Sequence, residues 1–337
     1  MPERVTVAIN WAGACGGCDV ALLDSEEMIL ELTAVANIVY WPVAMDFKRH
    51  HLRAFGSGEI DIGIFNGVVR TSEHVADAQL LRDRCKVLVA FGACAAFGGI
   101  PGLANLHSND DLLDTVYRDT PSTDNPDDIR PRAVTRVDGH DLKLPELEDR
   151  VRALHQVVEV DVFVPGCPPP PTKVLEALNM IIHYAETGEL PPRGTVLASD
   201  NALCDECPRI DTRKGNRMAT VHRPHSIAPD PTTCFHEQGI VCMGIATRGG
   251  CGATCINVNM PCRGCFGPTA EMLDPGAEAL SAIGSIAALP FEDGVPANQR
   301  LRTVRSIADL AGTFYRFSLP TAIIPGRVDD RPGEGEE

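Results

Sequence analysis

The chain contains 337 residues, of which 44% are hydrophobic and 23% are charged, so its composition is that of a folded protein rather than a disordered one. Its formal net charge of −16 argues against a protein that binds nucleic acid or anionic lipid through bulk electrostatics. No stretch approaches the roughly 18 apolar residues of a membrane span, and the N-terminus is a poor secretory signal. We therefore expect a cytoplasmic protein without a membrane span.

The first half of the chain alternates strand-like and helix-like segments. Strands are predicted at 4–9, 37–43, 59–67, 86–93 and 157–166, and helices at 20–36, 71–84, 146–155 and 171–188. Strands that alternate with helices indicate a parallel sheet with helices on its faces. The pattern predicts the α/β fold class, with a flavodoxin-like domain over 1–190 that is interrupted by a surface excursion at 100–145.

The second half of the chain differs in composition. Residues 195–270 are rich in cysteine and poorly periodic. Metal ligation would therefore have to supply the stability that a hydrophobic core normally supplies. Residues 271–337 return to helical spacing and end in an acidic tail. We therefore predict a cysteine-rich second domain at 195–270, followed by a helical C-terminal extension at 271–337.

Four of the 13 cysteines are predicted to converge although they are far apart in sequence. They follow predicted parallel strands, and the carboxyl ends of such strands meet at one edge of a sheet. The four are Cys15, Cys18, Cys94 and Cys167. Four thiolates can hold zinc or a 4Fe-4S cluster, and the glycines nearby favour the bulkier cluster. A thioredoxin-like role for the first pair alone would leave the other two unexplained.

Eight further cysteines lie close together in the second half of the chain. They are Cys204, Cys207, Cys234, Cys242, Cys251, Cys255, Cys262 and Cys265. Eight thiolates complete two four-ligand sites, and a series of clusters accounts for three such sites in one chain better than redox-silent zinc does. The remaining cysteine, Cys85, is predicted to be a small buried hydrophobe. We interpret His222 and His225 as surface residues or supports of the ligands, because cysteines already fill every site.

Several motifs resemble one known family over nearly the whole chain to about residue 270. They are CGGC, FGACAAFGG, VPGCPPPP and the tract CFHEQGIVCMGIATRGGCGATCINVNMPCRGCFGP. Their combination resembles the small, iron-sulfur subunit of a NiFe hydrogenase, in particular the cytoplasmic methyl-viologen-reducing type found with heterodisulfide reductase. The resemblance implies three 4Fe-4S clusters and a NiFe centre in a separate large subunit. A small iron-sulfur adapter subunit and heterodisulfide reductase are the expected acceptors.

The resemblance also implies a division of the cysteines among three clusters. The proximal cluster, next to nickel, takes Cys15, Cys18, Cys94 and Cys167. By spacing, the outer cluster takes Cys204, Cys207, Cys234 and Cys242, and the middle cluster takes Cys251, Cys255, Cys262 and Cys265. Many periplasmic relatives have a histidine at the position of Cys204 and lack the cysteine at 255, which gives a 3Fe-4S middle cluster. Here the middle cluster is expected to be 4Fe-4S, with a lower reduction potential.

Two other functions remain alternatives. The complex I-type quinone oxidoreductase subunit shares the first domain but carries one cluster, and it leaves the eight later cysteines unexplained. A zinc-stabilised scaffold without a redox role would give a colourless protein. A further departure from the family is Asn66, which stands at the sheet edge where an acidic residue is common.

Overall fold

The computed structural model describes residues 4–25, 27–215, 218, 220–286 and 306–324. The acidic tail and the middle of the C-terminal extension lie outside these residues. The described part comprises an α/β unit built on a central sheet, an excursion that leaves this unit between residues 98 and 152, and a cysteine-rich region on which the C-terminal extension packs.

The centre of the fold is a six-stranded parallel sheet. Its strands in chain order are β1 (Val5–Trp11), β2 (Ala36–Tyr40), β3 (Ile60–Asn66), β5 (Cys85–Phe91), β9 (Val162–Val164) and β10 (Thr195–Val196). Their order across the sheet is β10-β9-β5-β3-β1-β2, and every neighbouring pair is parallel. The chain starts near one edge and reverses direction across β1 and β3, as in flavodoxin-like folds, which confirms the predicted fold class.

Helices cover both faces of this sheet because alternate strand residues point to opposite sides. On one face, Val7 and Ile9 join the core formed with α1 (Gly17–Leu23), α2 (Glu27–Val35) and α7 (Pro171–Thr187). On the other face, Ala8 joins the core formed with α3 (Arg49–Arg53), α4 (Ser72–Arg84) and α5 (Gly92–Phe97). With apolar cover on both faces, the ends of the strands are left for polar and ligating groups.

The excursion between residues 98 and 152 contains its own short elements. They are a 3-10 helix (Ile100–Leu106), α6 (Asn109–Asp114), a π-helical turn (Thr115–Asp119), the hairpin β6 (Val134–Val137) and β7 (His140–Lys143), and β8 (Leu147–Arg152). Both strands of the hairpin are exposed along their whole length. The predicted surface excursion is therefore present.

The helix predicted at 146–155 is wrong, because β8 lies there instead. This strand pairs antiparallel with β4 (Val69–Thr71). The Asn105 side chain fixes it by donating to the Val151 carbonyl (3.0 Å) and accepting from the Val151 N–H (2.7 Å). These long-range hydrogen bonds override the local sequence pattern.

The cysteine-rich region is built from short turns rather than long elements. It contains 3-10 helices at Leu203–Glu206, Ile210–Thr212, His236–Gln238 and Met243–Ala246, and the one-turn helix α8 (Thr254–Asn257). The C-terminal extension supplies α9 (Pro275–Ile286) and α10 (Leu310–Phe314), and a last 3-10 helix spans Leu319–Thr321. Ile283 and Phe314 pack with Phe235 and Ile256 in one core, so the extension covers the turns that carry the cysteines. None of the described helices is both long and apolar enough to span a membrane.

Candidate metal centres

Cysteines that follow three different strands meet at the carboxyl edge of the sheet. Cys15 lies in the loop after β1 and Cys18 in the first turn of α1, while Cys94 lies in α5 and Cys167 follows β9. Burial raises the pKa of Cys18, and the nearby Cys94, Cys167 and Cys15 raise it further. Burial and the nearby Cys167 and Cys15 raise the pKa of Cys94 to about 12. The four thiols therefore form one electrostatically coupled group.

Two glycines bring the backbone close to the sulfurs of this group. A Cβ added at Gly92, whose φ is +87°, would lie 2.4 Å from the Cys18 Sγ. A Cβ at Gly99, whose φ is +55°, would lie 2.5 Å from the Cys94 Sγ. Both positions need glycine for the backbone conformation and for the space beside sulfur.

A second group of cysteines lines a small cavity in the cysteine-rich region. Its members are Cys204, Cys207, Cys234 and Cys242, and Phe235 and Ile256 also line the cavity. Burial and the nearby Cys242 raise the pKa of Cys204 to about 12, while Arg213 acts in the opposite direction. The Nη1 of Arg213 lies 4.0 Å from the Cys204 Sγ. A cation therefore stands directly beside this cysteine.

The third group opens onto a larger cavity of about 870 Å³. Its members are Cys251, Cys255, Cys262 and Cys265, and the same cavity is lined by Cys15 and Cys167 of the first group. Burial and the nearby Cys251 and Cys255 raise the pKa of Cys265 to about 12. Burial also raises the pKa of Cys262. The third group thus lies next to the sheet edge.

The three groups touch one another in a linear order. Cys167, from the first group, lines the same cavity as Cys265 of the third and lies close enough to affect the pKa of its thiol. The Cys262 N–H, from the third group, donates to the Cys242 Sγ of the second (3.3 Å). The group at 251–265 therefore lies between the other two.

Each group offers four thiols, which is the donor set of a 4Fe-4S cluster. In the described part of the chain, no three Cys, His, Asp or Glu side chains are arranged to hold one metal ion. In each group, neighbouring sulfurs raise the pKa of a buried member, namely Cys18, Cys204 and Cys265. Buried thiols with raised pKa stay protonated unless a metal replaces the proton, because a coordinating thiol is deprotonated outright. Four cysteines in one group match a 4Fe-4S cluster, in which each iron takes one cysteine.

Comparison with known proteins identifies the family. A family model described as NADH ubiquinone oxidoreductase, 20 Kd subunit, matches residues 15–181. An iron-sulfur subunit of the F420-non-reducing hydrogenase of Archaeoglobus profundus is 40% identical to this chain, covering 93% of the chain and 95% of the relative. This chain belongs to that hydrogenase subunit family. A second member, from the F420-non-reducing hydrogenase of Methanothermobacter thermautotrophicus, is 34% identical over 97% of the chain and 98% of its own length.

The predicted family, the small subunits of NiFe hydrogenases, is thereby confirmed, and the chain is a subunit of an oxidoreductase that acts on hydrogen. Among solved structures, a recombinant NiFeSe hydrogenase from Desulfovibrio vulgaris Hildenborough in the oxidised state gives a TM-score of 0.52 at 19% identity. The match covers 80% of this chain and 95% of that one. At this identity the likeness shows the fold alone, which is the fold expected for a hydrogenase small subunit.

One buried carboxylate of this small subunit was not singled out in the sequence. Asp19, directly after Cys18, is only 1% exposed. It accepts hydrogen bonds from the Trp41 Nε1 (2.8 Å) and the Asn66 Nδ2 (3.1 Å). Asn66 is thus tied to the base of α1. A carboxylate in the first turn of a helix that begins beside a Cys-x-x-Cys pair was the available signal.

A buried arginine organises the cysteine-rich region of the hydrogenase subunit. Arg209 is only 3% exposed, and its guanidinium lies 4.2 Å from the centroid of the Phe235 ring. It donates to the Thr233 carbonyl (3.2 Å), the Ile256 carbonyl (3.1 Å) and the Asn259 Oδ1 (2.9 Å). One side chain therefore holds together the loops of Cys207, Cys234 and Cys255. The role of Arg209 depends on contacts between distant segments, so no local sequence motif indicates it.

The remaining candidates of the small subunit lie away from the cysteine cavities. Cys85 is buried in the sheet core beside Gly63, where a Cβ would lie 2.6 Å from its sulfur. His222 and His225 line a separate surface cleft. By contrast, His236 is buried beside the second group, and its Nε2 lies 2.9 Å from the Cys242 carbonyl oxygen.

Proposed function

We propose that this chain is the electron-transfer subunit of a NiFe hydrogenase and carries electrons from dihydrogen oxidation in a separate large subunit through three 4Fe-4S clusters to an acceptor protein. The observation that carries the proposal is the serial arrangement of the cysteine groups: Cys167 shares a cavity with Cys265, and the Cys262 N–H donates to the Cys242 sulfur. Clusters bound there would supply the one-electron chemistry. The chain itself needs no acid, base or nucleophile.

The proposed ligand sets follow the three groups. The proximal cluster takes Cys15, Cys18, Cys94 and Cys167; the middle cluster takes Cys251, Cys255, Cys262 and Cys265; the outer cluster takes Cys204, Cys207, Cys234 and Cys242. Only sulfur ligands are needed, so the histidines can serve other roles. A fourth cysteine in the middle set favours a 4Fe-4S centre of low potential, which suits a low-potential acceptor.

The large subunit is proposed to dock beside the proximal set. Exposed apolar side chains surround the mouth of the cavity that Cys15 and Cys167 line, namely Val20, Leu23 and Val43. Apolar side chains grouped at the rim of a cavity are typical of protein interfaces. Docking there would also shield the proximal centre from water.

At the outer set, the end of the series farthest from the large subunit, we propose an adapter subunit and heterodisulfide reductase as the cytoplasmic acceptors. This part of the proposal rests on the sequence motifs and on the four cysteines of the middle set. Four cysteine ligands at every proposed cluster are consistent with low reduction potentials, and these suit a low-potential protein acceptor.

Anaerobic purification with metal analysis and electron paramagnetic resonance tests the proposal. Three four-iron clusters require about twelve irons per chain. About four irons would favour the complex I-type alternative, and roughly three zinc ions with a colourless protein would favour the scaffold.

Single cysteine variants test the division into sets. Cys255→Pro should convert the middle cluster to a 3Fe-4S centre with its own paramagnetic signal, and an unchanged 4Fe-4S signal would show that Cys255 is not a ligand. Cys18→Ser should disturb the proximal centre and electron exit from nickel while the other two clusters assemble. A loss of all three together would contradict the proposed separation.

A further inference from the structure

A basic cleft of about 230 Å³ lies on the surface of the cysteine-rich region. It is lined by residues 221–225 on one side and by the start of the last described segment, 306–316, on the other. Its charged side chains are Arg223, Arg263, Arg316 and Asp309, together with the imidazoles of His222 and His225. Three guanidiniums in one small cleft are unexpected in a chain with a net charge of −16.

Among the described residues that line the cleft, Asp309 is the single carboxylate, and it forms no ion pair with these arginines. The Asp309 Oδ1 accepts the Gly312 N–H (2.9 Å) and caps α10. Among the described residues, Arg223, Arg263 and Arg316 form no salt bridge with any carboxylate, and the Arg316 Nε donates to the Gly312 carbonyl (3.0 Å). Arg263 and Arg316 line the cleft together.

The cleft lies on the backbone that carries ligands of two centres. Val241 and Arg263, which line it, are the chain neighbours of Cys242 and Cys262. The Cys262 N–H donates to the Cys242 sulfur (3.3 Å), so the cleft is next to the junction of the outer and middle sets. Arg223 and His225 are exposed at its mouth, so the positive charge continues onto the open surface.

We propose that this cleft is the docking site for an acidic segment of the protein that accepts electrons from the outer centre. The inference rests on the proposed function. A carboxylate side chain of the partner would bridge Arg263 and Arg316, and further carboxylates would meet Arg223 at the mouth. An extended acidic segment suits a cleft whose charge runs out onto the surface better than an enclosed small anion does. Docking here would bring the partner against the backbone of the ligand cysteines.

The test uses the hydrogenase complex with its large subunit and an acidic 2Fe-2S ferredoxin as the probe acceptor. Hydrogen-dependent ferredoxin reduction should fall about tenfold at low salt in Arg223→Glu, because electrostatic steering is worth tenfold or more, and the rate should become less sensitive to salt. Arg223→Lys should keep most of the rate. Arg53→Glu, an exposed arginine on α3, makes the same charge change elsewhere and should leave the rate within about twofold of the original.

Benzyl viologen, a small cation that needs no acidic docking segment, serves as the second acceptor. The ratio of ferredoxin to viologen rates should fall in Arg223→Glu, and the iron content should match that of the unaltered chain. An unchanged ratio, or an equal fall in Arg53→Glu, would overturn the inference. If the unaltered complex reduced neither acceptor under hydrogen, the proposed function itself would fail.

The acidic tail of this chain is the competing occupant. Residues 329–337 contain five carboxylates and one arginine. If the tail filled the cleft, removing it would raise the ferredoxin rate, and Arg223→Glu would raise it as well by releasing the tail. A lower ferredoxin rate in Arg223→Glu, together with an unchanged rate after removal of the tail, would support a partner segment. A higher rate in both variants would overturn the proposal.

Discussion

Gly92→Ala should damage the proximal centre specifically. The φ of Gly92 is +87°, and a side chain in this left-handed region costs roughly 1–2 kcal/mol. The new Cβ would also lie 2.4 Å from the Cys18 Sγ, so the sulfur or the backbone must move. Overpacking of this kind costs about 1–3 kcal/mol more, which brings the total to about 2–5 kcal/mol.

Gly188→Ala is the matched control for this variant. Gly188 ends α7 with a φ of +74°, but a Cβ there would meet no atom within 4 Å. It should therefore suffer the backbone penalty alone. The difference between the two variants, about 1–3 kcal/mol, corresponds to about 2–12 °C in apparent melting temperature for a domain of this size.

Iron analysis and thermal unfolding of the anaerobically purified chain measure both effects. With three four-iron clusters, Gly188→Ala should keep about twelve irons per chain, while Gly92→Ala should keep about eight because the Cys18 ligand is displaced. If Gly92→Ala kept the full iron content and melted together with Gly188→Ala, the close approach of Gly92 to the sulfur would not matter, and the reasoning would be refuted.

Three further predictions concern side chains away from Gly92. Cys85→Ala should leave the iron content unchanged and cost about 1 kcal/mol in unfolding free energy, because Cys85 packs in the sheet core. Arg213→Gln should lower the reduction potential of the outer centre in a redox titration followed by paramagnetic resonance, since the cation beside Cys204 would no longer stabilise the added electron, whereas Arg213→Lys should retain most of that effect. Burial would raise the pKa of Asp161, but the hydrogen bond from Arg82 and others outweigh it and hold the pKa low. Asp161→Asn should therefore cost about 2 kcal/mol in chemical unfolding at pH 7, and the difference should disappear as the pH falls from about 4, the unfolded pKa, through the lower folded value.

The sheet was predictable from the sequence because each strand and helix carries its own local pattern. The runs around Val7, Ile62 and Val87 are apolar and bounded by turns, and all three lie in neighbouring strands of the sheet. The segment 147–152 was not predictable in the same way. Its charges have helical spacing, but its conformation is decided by Asn105 and by pairing with β4, both of them distant in sequence.

The same distinction between local patterns and long-range contacts applies to the candidate site. Cysteine positions are visible in the sequence, so the twelve candidate ligands could be named from it, and their division into three sets stays a prediction. The groups that surround them could not, because Asp19 matters through Trp41 and Asn66, and Arg209 matters through loops that begin at residues 233 and 256. Such supporting groups are recognised only when distant segments are brought together.

The C-terminal extension explains how a region of short turns can hold two sets of cysteines in place. The turns contain only short elements, and the extension adds apolar side chains to the core that they form. Ile283 of α9 and Phe314 of α10 pack against Phe235 and Ile256, which flank the outer cavity. The same extension places Arg316 at the wall shared by the basic cleft and the larger cavity. The segment that stabilises the cysteine-rich region therefore also contributes charge beside the middle set. Substitutions in it should change the rate of electron transfer as well as the free energy of unfolding.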